Sequence, residues 1–116
     1  MCAGTNIRQR DVVLISFPFS DLSAAKKRPA LVISNDGFNR RSEDAICCLI
    51  TSNPENVPNS VFISNSDMES GNLEFDSKVK PYKLFTADKT LVVKVLGRLN
   101  SEKFASVVKE INKIIS

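Results

Sequence analysis

Three cations, Lys26, Lys27 and Arg28, close a polar stretch of the chain, and two hydroxyls, Thr51 and Ser52, close an apolar run further on. A guanidinium can offer two parallel N–H bonds to phosphate oxygens, and a hydroxyl beside it can fix the same group, so this inventory suits a phosphodiester. Other chemistries are excluded by what is missing. The chain contains no His, so the Ser–His and Cys–His pairs that activate most acyl-transfer nucleophiles cannot be built. It also lacks G-x-S-x-G, G-x-x-x-x-G-K-[ST], G-x-G-x-x-G and H-E-x-x-H patterns. Its three cysteines, Cys2, Cys47 and Cys48, are an odd number. Two are adjacent in a strand-like run, where neighbouring side chains point to opposite faces, and this is no disulfide framework. Scattered thiols and carboxylates without His make a poor zinc site, so neither a metal nor a cofactor is expected.

The elements that must position these residues are mostly strands. Asp11 to Phe17 (D-V-V-L-I-S-F) is a β-branched run ended by Pro18, and Arg28 to Ser34 (R-P-A-L-V-I-S) resumes the pattern after a polar, exposed connection over 18–27. Asn35 to Asp44 is rich in turn formers and is expected to be a second exposed connection. Ala45 to Thr51 (A-I-C-C-L-I-T) is apolar on both faces, as a central strand should be. If the second and third strands pair antiparallel, the start of one and the end of the other share a rim, and Arg28 faces Thr51. The alternative is a loop cation and a strand-end hydroxyl that never meet.

Further along, Ser60 to Ser64 forms a short fourth strand, and 66–75 is irregular or a short helical turn. Ser77 to Thr86 alternates imperfectly and contains Pro81, which suggests an edge strand. Leu91 to Leu96 is a strand or the lead-in to a helix, with Gly97 marking a break. The three-and-four spacing of Phe104, Val107, Val108, Ile111, Ile114 and Ile115 predicts an amphipathic helix over 101–115, capped by Asn100 and stapled by Leu99 against Phe104. Strands followed by one such helix predict a mainly β fold, a curled antiparallel sheet whose open side the helix covers.

Composition fits this picture. With 116 residues, 42% hydrophobic and 25% charged, the chain has the size and balance of a single globular domain spanning 1–116. No apolar run approaches the ~20 residues of a membrane span, and no secretory signal is visible, so a cytoplasmic protein with no membrane contact is expected. The net charge of +3 tilts modestly toward an anionic partner such as nucleic acid, although solubility alone would also account for it.

At these residues the chain resembles the PemK/MazF family of growth-inhibiting toxins. The resemblance is carried by Asp11 to Ser23 (D-V-V-L-I-S-F-P-F-S-D-L-S), Lys27 to Ser34 (K-R-P-A-L-V-I-S) and Asn35 to Asn39 (N-D-G-F-N). It continues in I-T-S at Ile50 to Ser52, the Asp76–Ser77 pair, Leu84 to Leu91 (L-F-T-A-D-K-T-L), and G-R-L at Gly97 to Leu99, so nearly the whole chain is covered. It implies an SH3-like β-barrel (CcdB/PemK-like) with a C-terminal helix, usually as a homodimer. It implies metal-independent, sequence-specific cleavage of single-stranded RNA, in which the substrate's own 2′-hydroxyl attacks the adjacent phosphorus. The implied partner is a cognate antitoxin with an acidic, disordered segment.

By the same resemblance the catalytic Arg falls on Arg28 and the catalytic Thr on Thr51, with Ser52 beside it. Lys26, Lys27, Ser52, Ser77, Lys80 and Lys83 are the candidate RNA contacts. Lys78 could also track the backbone, and Tyr82 or Phe38 could stack on a base. The proton acceptor is open: some relatives hold an Arg and an acidic residue where this chain has Lys80 and Tyr82, and many hold an Arg where it has Phe85. Asp21 is the carboxylate nearest in sequence. Two rival functions stand beside this one: a gyrase-poisoning toxin on a related barrel, and a non-catalytic module that binds nucleic acid or protein.

Overall fold

The structure, a computed structural model, describes residues 6–18, 25–54 and 56–116. Seven strands form a sheet: β1 (Asp11–Pro18), β2 (Ala25–Val32), β3 (Asp44–Thr51), β4 (Val61–Ile63), β5 (Met68–Gly71), β6 (Ser77–Asp88) and β7 (Val92–Leu99). A short helix α1 (Asp36–Arg41) lies between β2 and β3, and α2 (Ser101–Ile115) ends the chain. The sheet order is β4-β6-β3-β2-β1-β7-β5, with every pair antiparallel.

Strand alternation sends apolar side chains to both faces, and each face has its own core. Val12, Leu31, Cys48, Ile50, Ile63, Val79 and Leu99 pack beneath Phe104, Val107 and Ile111 of α2. On the opposite face Ile7, Val13, Ile15, Ala30, Val32, Ala45, Cys47, Ala87 and Val92 form a second cluster, with Phe17 and Phe85 packed against it. Phe17 is on β1 and Phe85 on β6, three places apart in the sheet. A flat sheet would hold them about 14 Å apart, yet their ring centroids are 5.4 Å apart. The sheet therefore curls toward this second face, giving an open half-barrel.

The C-terminal helix keeps the expected limits. The Asn100 side chain accepts the Lys103 N–H at 2.7 Å, and Leu99 shares a core with Phe104. Four expectations need correction. The 35–44 connection contains α1, because Asn35 caps it by accepting the Phe38 N–H and Asn39 is buried, its amide donating to the Ser34 carbonyl. The 66–75 segment, expected to be irregular or a short helical turn, does begin with such a turn at Asn65–Asp67 but then contains β5, which pairs with the end of β7.

β6 is not an edge strand but lies between β4 and β3. Pro81 is tolerated there because the β3–β6 ladder is interrupted around it: Cys48 pairs with Leu84 and Ile50 with Val79, so the intervening β6 residues lie outside the regular pairing. Gly97 does not break the chain but sits within β7. A Cβ there would come within 2.4 Å of the Ser70 carbonyl oxygen, so glycine is what lets β5 approach.

Candidate functional site

The rim where β1 and β3 end and β2 and β6 begin collects the candidate residues. On β2, Arg28 lies opposite Ile15 and Lys26 opposite Phe17 of β1. Arg28 is two residues from Ala30, so both cations belong to the sheet face of the second core. Lys27, opposite Ser16, belongs to the other face. The β2–β3 ladder runs from Val32↔Cys47 to Ala30↔Leu49. The paired register ends there, and Arg28 and Thr51 each follow two residues beyond it, on the same face.

The ladders beyond β3 extend this row. Thr51 pairs with Lys78 of β6, and Lys78 pairs with Phe62 of β4. Directly opposed residues share a face of an antiparallel sheet. Thr51, Lys78 and Phe62 therefore form one line across three strands, at about 4.8 Å per strand, and Arg28 lies at the same rim beyond the end of the β2–β3 ladder. Arg28, Thr51 and Lys78 are half-buried and Phe62 is exposed. Thr51 Oγ1 accepts the Asn53 N–H at 3.1 Å, which leaves the hydroxyl hydrogen to donate outward. Lys78 Nζ donates to the Pro54 carbonyl at 3.3 Å, tying the loop after β3 to β6.

Beside this row is a cleft of about 250 Å³ lined by Ser52, Asn53, Pro54, Phe62, Asp76, Ser77 and Lys78. Ser52 is exposed there, whereas Ser77 is buried and donates its hydroxyl to the Phe75 carbonyl at 2.9 Å. Ser77 thus shapes the cleft more than it offers a bond. Lys80 and Lys83 lie in the interrupted stretch of β6 between Val79 and Leu84, where the ladder does not place them in the row. Phe38 is on α1 and Tyr82 is in the same interrupted stretch as Lys80, both outside the row. Asp21 lies outside the described residues.

Neither remaining thiol competes as a nucleophile. Cys47 and Cys48 are buried, and burial pushes both up to about 12, so they remain protonated near neutral pH. Among the described residues no group of Cys, Asp and Glu is arranged to hold a metal ion, and no helix is long and apolar enough to cross a membrane.

Phe62 was missed as a site residue. Its sign in the sequence is the alternation V-F-I at 61–63: with Val61 and Ile63 turned to the helix-covered core, the aromatic between them must turn outward.

No curated protein matches the chain by sequence. Among solved structures it is similar to a MazE–MazF complex from Deinococcus radiodurans, at 18% identity and a TM-score of 0.78, with 96% of this chain and 97% of the other covered. It is similar to an endoribonuclease in complex with its cognate antitoxin from a mycobacterial species, at 17% identity, a TM-score of 0.75 and 92% of each chain. It also resembles the Mycobacterium tuberculosis toxin MazF-mt6, at 16% identity and a TM-score of 0.69, over 90% of this chain and 94% of the other. At these identities the likeness concerns the fold. The sequence itself matches, over residues 8–115, the family described as the PemK-like, MazF-like toxin of type II toxin–antitoxin systems, and the chain belongs to that family.

Proposed function

We propose that this toxin is an endoribonuclease that cuts single-stranded RNA without a metal, with Arg28 and Thr51 at the scissile phosphate. The observation that supports the reading is that Arg28, Thr51 and Lys78 belong to one sheet face at one rim, Thr51 paired with Lys78 and Arg28 just beyond the end of the β2–β3 ladder, a guanidinium and a hydroxyl of the kinds that bind a phosphodiester. In the reaction the ribose 2′-oxygen bonds to the adjacent phosphorus and the bond to the 5′-oxygen breaks. The 2′-hydroxyl loses its proton and the departing 5′-oxygen gains one. The products are a 2′,3′-cyclic phosphate and a 5′-hydroxyl.

Negative charge grows on the phosphoryl oxygens in the transition state, where charge-assisted bonds from Arg28 are strongest. A guanidinium offers five N–H donors and no acceptor, so Arg28 acts as a stabiliser rather than a base. Thr51 donates its hydroxyl to the same phosphate and fixes its orientation. Lys26, two residues from Arg28 on the same face, and Lys78 supply charge for the flanking backbone. Ser52 borders the same site and Ser77 shapes the adjoining cleft, while Lys27, on the other face, and Lys80 and Lys83, outside the row, take no part at the phosphate in this reading. The likeness to toxin–antitoxin complexes supports a cognate antitoxin as partner; what the family resemblance adds is that this antitoxin carries an acidic segment that folds as it covers the toxin, and that the toxin works as a homodimer.

Purified protein incubated with a mixed pool of single-stranded RNA should release fragments with cyclic phosphate and 5′-hydroxyl ends. Arg28→Ala should fold normally and cut on the order of a hundredfold more slowly or worse. Wild-type rates in Arg28→Ala, or products with 3′-hydroxyl ends, overturn the assignment.

A further inference from the structure

Phe62 stands at the end of the row that contains the proposed phosphate site. It is 52% exposed, although an aromatic ring of that size is among the side chains most favoured in a core. Two register steps, Phe62↔Lys78 and Lys78↔Thr51, separate it from the catalytic hydroxyl. At about 4.8 Å per step this is about 10 Å between backbones, a distance that side chains from both ends shorten. A phosphate held at Thr51 and the base of a neighbouring nucleotide have about that separation to span.

The ring also forms part of the wall of the 250 Å³ cleft. That volume is below the roughly 300–1,000 Å³ of pockets for drug-sized ligands, and suits one flat ring. The same cleft is lined by residues whose side chains carry the donors and acceptors a base edge needs: Ser52, Asn53 and Asp76. Lys78, between the ring and Thr51, is placed for the intervening backbone phosphate.

We infer that Phe62 is a stacking platform for the nucleobase next to the scissile phosphate, and that the cleft of Ser52, Asn53 and Asp76 receives that base. The inference rests on the proposed endoribonuclease reading. It assigns to β4 the holding of the substrate, through a residue that carries no charge and takes no part in the bond exchange.

The test uses a mixed-sequence 2′-O-methyl oligonucleotide, which lacks the attacking hydroxyl, and an abasic strand with the same backbone. Phe62→Ala should bind the base-bearing strand about tenfold more weakly, with the salt dependence unchanged because no charge is lost. Phe62→Tyr should restore the affinity, and all variants should bind the abasic strand alike. The chain contains no Trp, so Phe62→Trp supplies a single indole emission, which the base-bearing strand should quench and the abasic strand should not. Wild-type affinity in Phe62→Ala, or emission unchanged at saturation, overturns the platform while leaving RNA cleavage by the wild type intact. A wild-type protein that neither binds the strand nor cuts RNA removes the endoribonuclease reading and the platform with it.

Discussion

At Thr51 a single oxygen accepts the Asn53 N–H, holding the start of the loop after β3, and in the proposed reaction the same hydroxyl donates its hydrogen to the phosphate. Removing the hydroxyl therefore disturbs both the loop and the proposed chemistry, while moving it slightly disturbs neither greatly. Thr51→Val should lose cleavage by about tenfold or more, the value of one charge-assisted donor in a transition state. Thr51→Ser should retain most of it. Rates on a defined RNA, measured alongside thermal midpoints, separate the two effects, and equal loss in both variants would take the Thr51 hydroxyl out of the chemistry.

Between elements, the fold relies on short ties across the β1–β7–β5 side of the sheet. Arg10, at a positive φ of 79° just before β1, donates to the Leu99 carbonyl at 2.9 Å and pairs with Glu69 of β5 at 3.0 Å. That bond to the Arg10 guanidinium holds the Glu69 carboxyl below its ordinary value of 4.5. A carboxylate lowered in the folded state stabilises it above the unfolded value, and the contribution is lost as pH falls through the folded value. Glu69→Gln should thus lower the urea midpoint at neutral pH, with the gap to wild type closing on acidification. Asp11 has the opposite sign: burial raises its carboxyl, so its ionisation opposes folding at neutral pH and acid relieves that cost. A Glu69→Gln gap that stays constant with pH would place the variant's effect in packing, not charge.

For the molecule as a whole, the net charge of +3 is small, but its placement is not even. Lys26 and Arg28 belong to the same face as the Thr51–Lys78 pair, at one rim of the sheet. If these three cations meet single-stranded backbone, log affinity should fall with log salt at a slope of about −2, from about −0.7 for each phosphate neutralised. Lys78→Gln should flatten the slope by about one such unit. Titrations of the 2′-O-methyl strand across salt concentrations check both values, and a flat wild-type response would remove the basic rim from RNA binding.

The sequence by itself settled the elements whose local pattern and burial agree. β1, β3 and α2 were legible because β-branched runs and three-and-four spacing describe surfaces that the core then accepts, and Asn100 carries its own cap. The roles of Arg28 and Thr51 rest on the family resemblance and are proposals that the predicted rates test. Tertiary structure decided what depends on neighbours distant in the chain. Pro81 suggested an edge, yet β6 is interior because the interrupted pairing removes the need for its missing N–H. Gly97 suggested a break, yet it marks the approach of β5, a contact with a segment that sequence alone left irregular. That Phe62 lies in line with Thr51 is decided by two inter-strand registers, since register is a property of pairs of strands and not of either one.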